Sequence, residues 1–188
     1  ETPGNTAFAQ TMTEFGEGLI PDATRGTRIG KFRPAALLLT PLAAILFQVY
    51  VPLFFQYLSY LEMPLLVTVY FALMRRGPVG GLLLGAGIGL MQDSLSGQPL
   101  GMFGIVKTLV GYFAASVSLR FDVDNPLIRL VLAFFFFFFH QFFYWVLASA
   151  LLGQQLGFDL KETSISGLLN AAVALPLFHV LDRLRERS

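Results

Sequence analysis

Cysteine is absent from this 188-residue chain, tryptophan occurs once and histidine twice, and Asp, Glu, Lys and Arg together make up only 13% of it. The missing cysteine removes a disulfide framework, a thiolate metal centre and a cysteine nucleophile, and with them any reading of redox compartment. The scarcity of charge is equally restrictive, because soluble domains carry about a quarter charged residues. A formal net charge of +1, with basic residues scattered among apolar blocks, leaves no stripe for a phosphate backbone and argues against a nucleic-acid partner. His140 and His179 fall in different apolar runs without a carboxylate at ligand spacing, whereas a zinc site wants three or four ligands. No second intramembrane Asp accompanies Asp93 to make an aspartyl dyad, and nothing marks Ser149 as a nucleophile activated by His179. The sequence therefore points to no enzyme, with no catalytic residue, metal site or cofactor.

What is abundant is apolar: 55% of the residues are hydrophobic, with 20 phenylalanines. A bilayer core of about 30 Å takes roughly 17 to 25 apolar residues per helix. Six such runs, broken at turn residues, predict an all-α polytopic membrane protein with spans at Pro34–Leu58, Leu61–Met74, Pro78–Leu95, Pro99–Leu119, Pro126–Leu152 and Thr163–Leu181. Proline opens four of them, as its fixed φ and missing N–H favour. Leu61–Met74 is short and contains Pro64, which would also fit a broken or re-entrant helix. Residues 1–32 read as a polar, flexible tail without the apolar core of a signal peptide, and residues 33–188 as the transmembrane domain with a short basic end. The chain begins with Glu1 rather than Met, which fits either an upstream start or processing.

If all six runs cross, the loops alternate sides and the basic residues separate. Arg25, Arg28, Lys31, Arg33, Arg75, Arg76, Arg120, Arg129, Arg183, Arg185 and Arg187 collect on one side, Lys161 stands alone on the other, and Lys107 lies inside a span. By the positive-inside rule both termini are cytoplasmic. Dropping the second span would scatter this asymmetry. Tyr144 and Trp145 then fall in the outer half of the fifth span, after the Phe134–Phe139 run.

Gly81, Gly85 and Gly89 recur every fourth residue and flatten one face of the third span for close helix packing or for a partner's helix. GAGIGL is no dinucleotide-binding fingerprint, since Leu90 stands where the last glycine belongs. Asp93 and Lys107 are the charges placed well inside spans, on either side of an outer turn built from Ser96, Gly97, Pro99 and Gly101. Each alone in lipid would be costly. They are expected to form a membrane-embedded ion pair that sets the register of the hairpin, or else a polar cavity for a ligand. Gln48, Gln56, Gln92, Gln98, Gln141 and Asn170 mark interior faces.

The block LLVTVYFALMRRGPVGGLLLGAGIGLMQDSLSGQPLGMFGIVKTLVGYFA resembles the central part of the rod shape-determining MreD family. The likeness is dense over about Leu65 to Ala115: a basic turn before Gly77, a glycine-rich span ending in Gln92-Asp93, the SGQPLG turn and the Lys107-to-Tyr112 run. It implies a non-catalytic scaffold subunit of the bacterial cell-elongation machinery in the cytoplasmic membrane, acting in peptidoglycan synthesis. Its implied partners are the bitopic protein MreC, the actin-like MreB, the glycosyltransferase RodA and a class B penicillin-binding transpeptidase; a homodimer is also compatible. The family's fold is similar to that of the S components of energy-coupling-factor vitamin transporters. That similarity supplies the alternative, a substrate-binding subunit, although the first span PAALLLTPLAAILFQVYVPL lacks the AxxxA docking pattern.

Overall fold

Six α-helices follow one another in the computed structural model, which describes residues 32, 34–97, 99–153 and 157–184. They are α1 Pro34–Tyr50, α2 Met63–Arg75, α3 Pro78–Ser96, α4 Met102–Val117, α5 Pro126–Leu152 and α6 Leu160–Asp182. The segment expected to be a flexible tail lies outside the described residues except at Phe32, whose ring meets Tyr70 and Phe71 edge-on.

The helix ends follow local chemistry. Pro64 sits in the first turn of α2 rather than inside it, where its missing N–H costs nothing. α1 stops at Tyr50, short of the expected Leu58, and gives way to two 3-10 turns, Val51–Leu53 with Pro52 in it and Gln56–Tyr60. α4 starts at Met102 rather than Pro99, after Gly101 has taken φ 99°. Asn125 Oδ1 accepts from Leu127 N at 2.9 Å to start α5. Asp159 Oδ1 accepts from Lys161 N and Glu162 N, so α6 begins at Leu160 ahead of the expected Thr163.

Among the described residues four stretches are long and apolar enough to cross a membrane: Pro34–Leu53, Gln56–Arg75, Pro126–Leu152 and Leu160–Asp182. α4 is apolar but spans only 16 residues, about 24 Å at 1.5 Å per residue. α3 is diluted by its glycines and by the polar pair Gln92-Asp93.

At the centre stands α2. Every residue from Pro64 to Met74 is buried, as a helix apolar on all faces demands when neighbours surround it. α1, α3, α4, α5 and α6 all pack on it. By contrast α1 buries only Pro41, Ala44 and Ile45, and it exposes Leu38, Leu39 and Leu46. The phenylalanine run of α5 divides the same way: Phe136 and Phe137 are buried and Phe135 is exposed.

The tightest contact is the α3–α4 hairpin. A Cβ added at Gly81 would strike the carbonyl of Gly111, at Gly85 that of Lys107, and at Gly89 that of Phe103. Because the obstructing atoms are backbone, the two helices could not keep this separation with any other residue at those positions. Gly111 is locked reciprocally against the carbonyl of Gly81. The approach brings Asp93, at the turn end of the hairpin, over the backbone of the partner helix.

Candidate functional site

Asp93, three residues before the end of α3, is 1% exposed, and its carboxylate reaches across the hairpin to the start of α4. Oδ2 accepts from Gly101 N at 2.9 Å and Gly104 N at 3.0 Å, and Oδ1 accepts from Phe103 N at 3.0 Å. The first N–H groups of a helix have no intrahelical partner, and the helix dipole places partial positive charge there. Asp93 therefore serves as a charged cap donated by the neighbouring helix. Gly97, at φ 66°, ends α3, and Pro99 O accepts from Met102 N at 3.3 Å. Ser96 Oγ donates to Gln92 O at 2.7 Å. The turn thus delivers the α4 N-terminus to the carboxylate; Gln98 lies outside the described residues.

The ion pair expected between Asp93 and Lys107 does not form. Lys107 is fully buried one turn deeper, its Nζ 3.3 Å from His140 Nε2 on α5 and 4.5 Å above the centroid of the Phe103 ring. The other ring nitrogen of His140, Nδ1, is buried without a hydrogen-bond partner. Phe103 stacks on both His140 and Tyr144. The physical reason is that three backbone donors already surround the carboxylate, whereas the lysine stem lies on the side of α4 that faces α5.

Glu62, just before α2, is the functional candidate that spacing along the hairpin misses. Its backbone N–H donates to Asn170 Oδ1 on α6 at 2.8 Å, and Asn170 Nδ2 donates to Tyr60 O and Ser166 O at 2.7 and 2.9 Å. Gln48 Oε1 accepts from Met63 N at 3.2 Å, which ties α1 to the same corner. Gln92 is buried and Gln141 half-buried, while Gln56 is exposed and marks no interior face. The only sequence signal for Glu62 is an acid set immediately before an apolar, proline-opened run.

A second polar cluster closes the opposite end. Arg129 of α5 donates through Nε to Val123 O at 2.7 Å and through Nη1 to Asp182 Oδ2 of α6 at 2.6 Å. Tyr70 of α2 donates its hydroxyl to Asp182 Oδ1 at 2.9 Å. Asp124 stands 3.6 Å from Arg129 and 4.0 Å from Arg76. Arg129, counted among the loop cations in the sequence, is in fact buried. Among the described residues no group of three His, Asp or Glu side chains is set to hold a metal.

A family model described as rod shape-determining protein MreD matches residues 31–185. The chain belongs to the MreD family. It is thus a rod-shape-determining membrane protein, of a family whose members are structural rather than known enzymes. MreD membership places it with the rod-shape machinery, and the match covers all six helices, including both polar clusters. Neither a curated protein nor a solved structure matches the chain.

Proposed function

We propose that the chain is a non-catalytic scaffold of the cell-elongation machinery in the bacterial inner membrane, holding an MreC-like bitopic protein through helix–helix contacts. Through that partner it gathers RodA, the class B transpeptidase and MreB. The observation that carries this reading is the family match over residues 31–185. Its support in the geometry is the division of labour between polar and apolar groups. Asp93 and Arg129 are consumed by bonds that hold helices together, and the outward faces of α1 and α5 are apolar. In lipid such faces associate by close packing rather than by hydrophobic burial.

In this reading all six helices cross and both termini are cytoplasmic, which the separation of basic residues supports, ten against one when the buried Arg129 is set aside. The 1–32 segment then lies in the cytoplasm as a tail. Purification in mild detergent tests the function: MreC-like or RodA-like proteins should co-elute, whereas a coupling subunit with its ATPase would overturn it in favour of the transporter alternative. A reporter fused after Lys161 should read as outside the cytoplasm.

A further inference from the structure

At the end of the bundle where α5 stops and α6 starts, the other two hairpins fall short of that one. Glu62 N donates to Asn170 Oδ1, so α2 begins level with Asn170, about 15 Å below the start of α6 at 1.5 Å per residue. Phe103 stacks on both His140 and Tyr144, which sets the start of α4 about 14 Å below the end of α5. Gln48 Oε1 accepts from Met63 N and Asp93 Oδ1 from Phe103 N, so α1 and α3 reach those same levels. Past them, α1 with its 3-10 extension climbs only to Leu53, and α3 only to Ser96. The α1–α2 and α3–α4 tips therefore lie about 5–10 Å below the ends of α5 and α6.

Both tips are apolar and exposed: Leu53, Phe54, Phe55 and Tyr57 on one, Leu95 and Leu100 on the other. No Asp, Glu, Lys or Arg occurs in residues 34–61, and Asp93, near the second tip, is spent on capping α4. By contrast α6 opens at Asp159, Lys161 and Glu162, charged groups that belong among headgroups or in water. An apolar surface a turn or two below that level is bounded from both sides. Water would leave the rings as an uncovered apolar patch. Hydrocarbon would strand the backbone, because residues 51–60 form only two short 3-10 turns, and irregular backbone facing lipid does not occur in the membrane core. The headgroup–acyl boundary satisfies both demands, and tyrosine rings collect there.

We propose that residues 50–60, with Leu95 and Leu100 at a similar height, form an interfacial anchor whose partner is the headgroup–acyl boundary of the outer leaflet. The inference rests on the six-span reading, which sets the side. The anchor holds α1 in place. That helix buries only Pro41, Ala44 and Ile45, so packing fixes its height weakly, and interfacial aromatic groups set the depth and tilt of such a helix. Tyr50, Tyr57 and Tyr60 bring hydroxyls to the boundary, while Leu53, Phe54 and Phe55 give the acyl chains their contact. The α1–α2 connection is then a membrane-seated segment rather than a loop in water.

The absence of cysteine lets single spin labels report depth in the full chain in phosphatidylcholine bilayers, through collisions with oxygen, which prefers lipid, and with a water-soluble nickel chelate. Labels on Phe54→Cys and Leu100→Cys should read within about 5 Å of the headgroup boundary. A label on Gly157→Cys, exposed just ahead of the charged start of α6, should meet nickel as in water. Nickel collisions at Phe54 and Leu100 as frequent as at Gly157 would overturn the proposal by placing the tips in water. Labels shielded from both reagents would overturn it in favour of a second copy that covers the tips. The anchoring is read from a label on Leu46→Cys, on the exposed side of α1. Phe54→Ser combined with Tyr57→Ser should change its depth by roughly 2–3 Å, about two residues of rise, whereas Phe54→Trp should leave it in place. A label unmoved by the double serine variant would overturn the anchor, and if that variant does not fold, the depths at Phe54 and Leu100 decide alone. A reporter after Lys161 that read as cytoplasmic would move the anchor to the inner leaflet without changing any depth, so the topology and the anchor fail separately.

Discussion

Removing the Asp93 carboxylate should unfasten the start of α4, and the size of the effect follows from its three bonds to backbone N–H groups at 2.9, 3.0 and 3.0 Å. Hydrogen bonds to a charged acceptor contribute about 1.5–3 kcal/mol each. The three share one carboxylate whose own burial is costly, so they do not add, and Asp93→Ala is expected to cost about 3 kcal/mol. That exceeds an ordinary exposed N-cap, worth about 1 kcal/mol, because the orphaned donors are walled off by α3. Asp93→Asn keeps one acceptor oxygen and turns an amide N–H₂ toward the remaining donors, so its loss should fall between wild type and alanine. In detergent, a loss of about 3 kcal/mol corresponds to a fall of roughly 6–12 °C in apparent melting temperature for a chain of this size. Hydrogen exchange should report lost protection at Gly101, Phe103 and Gly104. The reasoning fails if Asn and Ala are equally damaging while those amides stay protected. It fails also if Lys107→Met restores the stability of Asp93→Ala, the signature of an ion pair rather than a cap.

Other substitutions separate the remaining contacts, each read as apparent melting temperature in the same detergent. Gly85→Ala drives a Cβ into the Lys107 carbonyl and should cost about 1–3 kcal/mol by overpacking. Gly87→Ala, two residues away, meets open space and should raise stability by about 0.5–1 kcal/mol through helix propensity; equal effects at the two positions would contradict the packing. Arg129→Met leaves Asp182 without its guanidinium partner and should cost about 3 kcal/mol, at the low end for a broken buried pair because the Asp182 side chain is 31% exposed. Adding Asp182→Leu should recover part of that loss, and strict additivity would show that the pair is not coupled. Arg76 holds φ 53°, a left-handed conformation suited to glycine, while its 4.0 Å contact to an Asp124 that is 59% exposed is weak. Arg76→Gly should therefore raise the melting temperature by roughly 1–3 °C.

The hydrophobic runs, the helix starts at Pro34, Pro78 and Pro126 and the every-fourth glycines were legible because each is a local signal: burial, φ restriction and backbone approach act within a few residues of one another, whereas Pro99 precedes a turn and α4 starts at Met102. Ends governed by side-chain caps were less so. The charged Lys161-Glu162 pair hides the start of α6 from a hydropathy reading, although Asp159 is what begins it. Helix arithmetic placed Asp93 and Lys107 at the right end of the hairpin but gave depth without azimuth. It could not say that the turn would bring three N–H groups to the carboxylate before the ammonium could reach it, nor that Lys107 would face α5.

The partners hardest to read are those far apart in the chain: Glu62 and Asn170 are separated by 108 residues, Tyr70 and Asp182 by 112. Both of these links run between α2, or the residue before it, and α6, one at each end of the bundle. Two polar links at opposite ends of a pair of apolar helices fix their relative sliding and rotation, which nonspecific apolar packing alone leaves free. With α3 and α4 locked backbone to backbone and α2 tied to α6, the described helices have a fixed frame. The lightly buried α1 and the exposed 3-10 segment after it lie on its outside. The outward side chains Leu38, Leu39 and Leu46 of α1 are thus carried on a frame whose own helices are fixed by contacts that do not involve them.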